Sequence, residues 1–147
     1  MRNVKFLCLF LTLITSTAFA GPKEDAFQVV ERWARAFTEA DVDTIVNLYA
    51  SDAVFMGTGS KMIVTKPEDI KKYFQTALLG SRRFVATFAD SRVTTVSETA
   101  VVITALDKLA VTADGKTQDV FGRVTFVVAK RESSWKIVSF HRSAMPS

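Results

Sequence analysis

At Arg82 the hydrophobic pattern of this chain changes period, and that change does most to limit the available folds. Before it, apolar residues recur every three or four positions, the spacing of a helix face; after it they recur every second position, the spacing of a strand. Phe27, Val30, Trp33, Ala34 and Phe37 mark an amphipathic helix from about Asp25 to Ala40. Asp41 is placed to cap a second helix, with Val42, Ile45, Val46 and Tyr49 turned inward. Ala53–Met56 reads as a short strand. Thr65-Lys66-Pro67-Glu68 has the form of a capping box, and the helix after it carries Ile70, Phe74, Ala77 and Leu78 on one face, with Gly80 as its stop.

Beyond Arg82, five segments rich in Val, Ile, Thr and Phe are expected as strands: 84–89, 92–97, 100–111, 117–130 and 134–143. Ser91, Glu98, Asp114-Gly115 and Glu132-Ser133 are the expected turns, and Asp114-Gly115 is the strongest hairpin signal. Helices followed by a meander of antiparallel strands, with no Gly/Pro linker or repeat, make one α+β domain. Apolar residues occupy both parities of the last strands: Val120, Val124, Phe126 and Val128 against Phe121 and Val127, and Trp135 and Ile137 against Val138 and Phe140. A sheet with one wet face alternates cleanly. The second face therefore calls for a second copy of the chain, a homodimer or higher homo-oligomer through the sheet.

Residues 1–20 follow a different logic. Arg2 and Lys5 precede the apolar run Phe6–Ile14, and Ala18-Phe19-Ala20 has the small-x-small form of a signal-peptidase site. The run is too short to cross roughly 30 Å of hydrocarbon. The expectation is a signal peptide cleaved after Ala20, no stable membrane anchor, and a domain over 21–147 that is periplasmic or secreted. Setting aside Arg2 and Lys5, the formal charge of +4 falls to +2. No basic stripe supports nucleic-acid binding, and Arg82-Arg83 and Lys130-Arg131 read as solvated strand ends. One Cys and one His in the whole chain exclude Cys/His zinc sites, iron–sulfur clusters and a disulfide framework, and no nucleotide fingerprint or flavin motif occurs, so no metal and no cofactor is expected.

The motif search is short. Gly57-Thr58-Gly59-Ser60-Lys61 lacks the spacing of a phosphate loop, and no Gly-x-Ser-x-Gly elbow occurs. His141 and Ser143 share a strand parity, but at roughly 6.5–7 Å between Cα atoms they make a poor nucleophile–base pair. Asp52, between a helix and a strand, is a candidate catalytic carboxylate or a turn-bonded one. Asp107-Lys108 interrupts an apolar strand, so one of the two enters a different environment from the other. Arg123, between Phe121 and Thr125, is either a solvated charge or an inward group awaiting an anion.

Several of these segments together resemble the nuclear transport factor 2-like superfamily. They are Trp33, Asp43-x-x-x-x-Leu48-Tyr49-x-x-Asp52-Ala53-Val54-Phe55, Gly122-Arg123-x-Thr125-Phe126, Trp135-Lys136-Ile137-Val138, and Phe140-His141-x-Ser143-x-x-Pro146. The resemblance is closest to its SnoaL-like, SgcJ/EcaC-type branch and to the calcium/calmodulin-dependent protein kinase II association domain. It implies a cone-shaped, curved antiparallel sheet wrapped around three helices, a pocket at the wide end, and sheet-to-sheet dimers. It also implies that Arg123, Lys108 and His141 line that pocket, with Trp33, Tyr49 and Phe55 completing it.

On that basis a small carboxylate-bearing ligand is expected on Arg123, its apolar part against Trp33 and Phe55. Three functional readings stand side by side: a small-molecule-binding domain, a ketosteroid-isomerase-like isomerase or dehydratase using Asp52 or His141 as base beside Tyr49, and an oligomeric hub. The superfamily hosts all three on one scaffold, so fold alone does not choose among them.

Overall fold

A computed structural model describes residues 21–146. The expected signal peptide lies outside the described residues. Helix α1 runs Pro22–Glu39, starting ahead of the expected Asp25 because Pro22 sits in its first turn, where the missing N–H costs nothing. It ends at Ala40, which turns left-handed (φ 56°) and bonds back to Ala36 and Phe37. Helix α2, Val42–Leu48, is capped as expected: the Asp41 carboxylate accepts from the Thr44 N–H at 3.0 Å. Strand β1, Tyr49–Met56, follows directly. The third helix, α3, spans Pro67–Leu78, but its N-cap is Lys66 and no side chain caps it. The expected capping box is not formed; Pro67 sets the start instead.

Four strands, not five, follow: β2 Arg83–Ser97, β3 Ala100–Ala113, β4 Lys116–Arg131 and β5 Ser134–Ala144. The turn expected at Ser91 is absent. The chain runs straight on through a bulge between Phe88 and Asp90, one extra residue absorbed without leaving the sheet. Asp114-Gly115 does make the hairpin, with φ of 50° and 72°, values that glycine adopts freely and that favour the tight primed turns. The sheet order is β1-β5-β4-β3-β2, curved and unclosed. It is mixed rather than wholly antiparallel, since β1 lies parallel to β5.

The helices cover one face of this sheet, and the core there is largely aromatic. The Trp33 ring stacks on Phe37 (5.1 Å between centroids) and meets Phe126 (5.3 Å) and Phe140 (5.4 Å); Phe55 stacks on Phe140 at 5.1 Å. Inward positions on β3 and β4 are strictly alternate: Val101, Ile103, Ala105 and Asp107, and Gly122, Val124, Phe126 and Val128. On β5 the alternation breaks. Val127 pairs with Ser139 but Val128 pairs with Ile137, so Val138 is an unpaired extra residue. Ile137 and Phe140 are both buried although their parities differ. This bulge accounts for the apolar residues of both parities in that strand.

Candidate functional site

Between α1, α3 and the inner face of the sheet lies a cavity of about 260 Å³. Trp33, Phe37, Phe74, Phe84, Phe88 and Phe140 give it aromatic walls. One stretch of wall is ionic. Asp107 on β3 and Arg142 on β5 reach toward each other across Gly122 of β4, with Arg142 Nε donating to Asp107 Oδ2 at 2.8 Å. Their side chains are only 5% and 11% exposed, and Asp107 is the one buried charged residue among those described. Arg142 Nη1 also donates to Thr58 Oγ1 at 2.8 Å, tying the loop after β1 to the sheet.

Gly122 is what lets this pair form. A Cβ there would sit 2.5 Å from Asp107 Oδ1 and collide with Arg142 Nη2 as well. Those two atoms are buried and have no hydrogen-bond partner, so the pair is joined through one contact rather than the side-on double contact an Arg and a carboxylate can make. Its charges cancel inside the wall.

The cavity opens beside a surface groove with which it shares Tyr73, Ala77 and Arg82. Arg82 lies over the Phe84 ring, 5.6 Å from its centroid. It is therefore not merely a solvated strand end; it forms part of the cavity's rim.

The residues expected at the site fare unequally. Trp33 lines the cavity, and its Nε1 donates to the Tyr49 hydroxyl at 3.1 Å. Tyr49 itself and Phe55 are core residues outside the lining. Burial holds the Tyr49 hydroxyl well above its ordinary pKa, against the opposing pull of the Trp33 hydrogen bond. Arg123, Lys108 and His141 all fall on the outer face of the sheet. Arg123 and His141 are exposed, and Lys108 bonds Asp119 at 3.3 Å.

Each is one residue away from an inward position: Gly122, Asp107 and Arg142 take the places expected of Arg123, Lys108 and His141. For Arg123 the reason is the more apolar parity of β4, which faces the helices. For His141 it is the Val138 bulge, which exchanges the faces of everything after it.

Asp52 is likewise elsewhere. It forms a two-point contact with Arg131 (2.9 and 3.2 Å) on the surface, and hydrogen bonding from that guanidinium lowers its pKa against a smaller opposing effect of desolvation. It is neither the turn-bonded group nor the cavity carboxylate that the sequence offered. The isomerase-type reading thus loses both of its proposed bases, since neither Asp52 nor His141 lines the cavity. Sequence reasoning missed Arg142 and Thr58. The signal for Arg142 was Gly122, a glycine mid-strand where a close approach is expected. Among the described residues no three His, Cys, Asp or Glu side chains converge as a metal-ligand set, and no helix is long and apolar enough to cross a membrane.

Comparison with known proteins agrees with this geometry. The sequence profile of the SnoaL-like domain matches residues 27–147. No curated protein matches the chain. Among solved structures, it is similar to one from Xanthomonas campestris described as a calcium/calmodulin-dependent protein kinase II association domain, with 27% identity, a TM-score of 0.76, and 84% of this chain and 88% of that one covered. It is also similar to a ketosteroid isomerase-like protein from Erwinia carotovora atroseptica, with 17% identity, a TM-score of 0.76, and 88% and 100% covered. A third similar structure, from Streptomyces avermitilis, is described as a dehydratase of the nuclear transport factor 2-like family; identity is 12%, the TM-score 0.78, and coverage 86% and 97%. The last two likenesses concern the fold alone. A three-helix, curved-sheet architecture with a cavity on its inner face, matched by the family profile over nearly the whole described chain, makes this a member of the SnoaL-like domain family with a nuclear transport factor 2-like fold.

Proposed function

We propose that this chain is an exported, dimeric protein that binds a small, largely apolar molecule in the aromatic cavity without strong catalysis. The cavity carries this reading: about 260 Å³ of space walled by aromatic rings, its one internal ion pair compensated, is chemistry for holding an apolar body rather than for moving protons. Export rests on the leader at residues 1–20. Dimerisation rests on the outer sheet face, where Leu106 and Phe121 stay exposed (Phe121 by 53%). A stable sheet-to-sheet dimer would bury about 1,600 Å² or more, and the likeness to a kinase association domain is in keeping with assembly through this fold. An Arg123-anchored carboxylate has no support, because Arg123 does not border the cavity.

Trp33 supplies the readout. Titration of the purified domain with toluene should change tryptophan fluorescence saturably, and Ala86→Phe, which fills the cavity from β2, should abolish the change while the protein stays folded. Absence of saturable binding in the unsubstituted protein, or binding unaltered by Ala86→Phe, would overturn the reading. Sedimentation at micromolar concentration reports the dimer, and N-terminal sequencing from the native host reports the cleavage.

A further inference from the structure

The inner wall and the rim of the cavity treat charge in opposite ways. In the wall, Arg142 is neutralised by Asp107, and the two atoms left over are shut against Gly122, closed to any occupant. An anionic group pushed inward would meet a guanidinium already matched and a carboxylate of its own sign. At the rim the balance differs. Arg82 borders the cavity, and the groove that shares Arg82 with it adds Lys61 and Lys72 against a single carboxylate, Asp69. Among the described residues none of these three cations is in an ion pair. Arg82 is further steadied over the Phe84 ring, so its guanidinium is held at the boundary between apolar wall and water.

Resting on the binding function proposed above, we propose that the cavity's occupant is an amphipathic anion bound body-first: the apolar portion among the aromatic rings, the anionic head at the rim on Arg82, with Lys72 and Lys61 adding a diffuse positive field. A carboxylate and a phosphate-type head share this chemistry. Arg82 is the specificity-determining residue, since it is the rim cation that also lines the cavity. The gain from an exposed charge pair is modest, about fivefold in affinity at low salt, and falls as salt screens it.

The experiment uses three probes with matched bodies: 4-phenylbutyrate, the neutral 4-phenylbutyramide, and 3-phenylpropylphosphonate. Their affinities are read by Trp33 fluorescence and by ligand-observed NMR for the unsubstituted protein and for Arg82→Gln. Both anions should bind about fivefold tighter than the amide, and Arg82→Gln or high salt should remove that preference while leaving amide affinity unchanged. The tighter of the two anions identifies the head. An amide that binds as well as the anions, or an anion preference that survives Arg82→Gln, overturns the proposal while leaving the cavity's binding role intact. Failure of all three probes to bind overturns both.

Discussion

The two faces of the sheet are built from the same strands, yet they differ in how each side chain's neighbourhood is determined. On the inner face, position follows from burial: Val124, Phe126 and Phe140 are where they are because the helices leave no water there. On the outer face, Arg123, Lys108 and His141 meet solvent and exposed neighbours, and nothing in the monomer selects those residue types. Adjacent residues of one strand thus carry very different energetic weight. Arg142 and His141, or Gly122 and Arg123, are neighbours in sequence and opposites in environment.

The comparison can be put to its hardest test with two arginines one strand apart. Arg142→Met leaves Asp107 as a lone buried charge and should cost about 3–5 kcal/mol by denaturant unfolding, whereas Arg123→Met on the outer face should stay within about 0.5 kcal/mol. Pairing Arg142→Met with Asp107→Leu should restore most of the loss, because the desolvated carboxylate goes with its partner. Equal costs for the two single substitutions would erase the distinction between the faces.

A smaller effect is expected at Gly122. Gly122→Ala places a methyl group where Asp107 Oδ1 and Arg142 Nη2 now lie, and should cost about 1–3 kcal/mol through displacement of the pair. The same change in the Asp107→Leu/Arg142→Met background should cost measurably less, a coupling that a double-mutant cycle isolates.

The smallest effect belongs to Asp52 and Arg131 on the surface. Asp52 titrates below its ordinary value of 3.8 in the folded chain. The contribution of its charge to stability is therefore present above that value and is lost as pH falls through the lower folded value. The stability difference between the unsubstituted protein and Asp52→Asn should be small at pH 7, sensitive to salt, and should fade as pH drops below the ordinary carboxylate range and Asp52 protonates. A difference that instead grows on acidification would contradict the surface pairing.

Helices α1 and α2, the Asp114-Gly115 hairpin and the α+β class were legible because each rests on local chemistry: an apolar stripe, a capping Asp, a turn that needs positive φ. The capping box at Thr65 and the turn at Ser91 were misread for the same kind of reason, since Pro67 and a bulge near Ala89 offered local alternatives of equal plausibility. The site was less legible. The parity of β4 pointed correctly to Val124 and Phe126 as inward, and following it would have put Arg123 outside; the resemblance put it inside. For β5 parity was uninformative, because the face of His141 depends on a bulge whose cause lies in pairing with β4. Asp107 was visible as an anomaly, but its partner lies 35 residues away and joins it only in the folded sheet.

The Val138 bulge has a consequence for how such cavities diversify. Downstream of it, β5 carries two complete and chemically distinct sets of side chains, Phe140 and Arg142 on one side, Ser139, His141 and Ser143 on the other. The bulge selects which set is presented inward, much as a frame selects which message is read. Were Val138 drawn into regular pairing with β4 instead of bulging, every later residue would shift by one, exchanging a guanidinium for an imidazole in the wall without substituting either one. A strand of this fold therefore has a route to new cavity chemistry through the gain or loss of a bulge at unchanged length, and a comparison that ignores pairing will match residues that never face the same way.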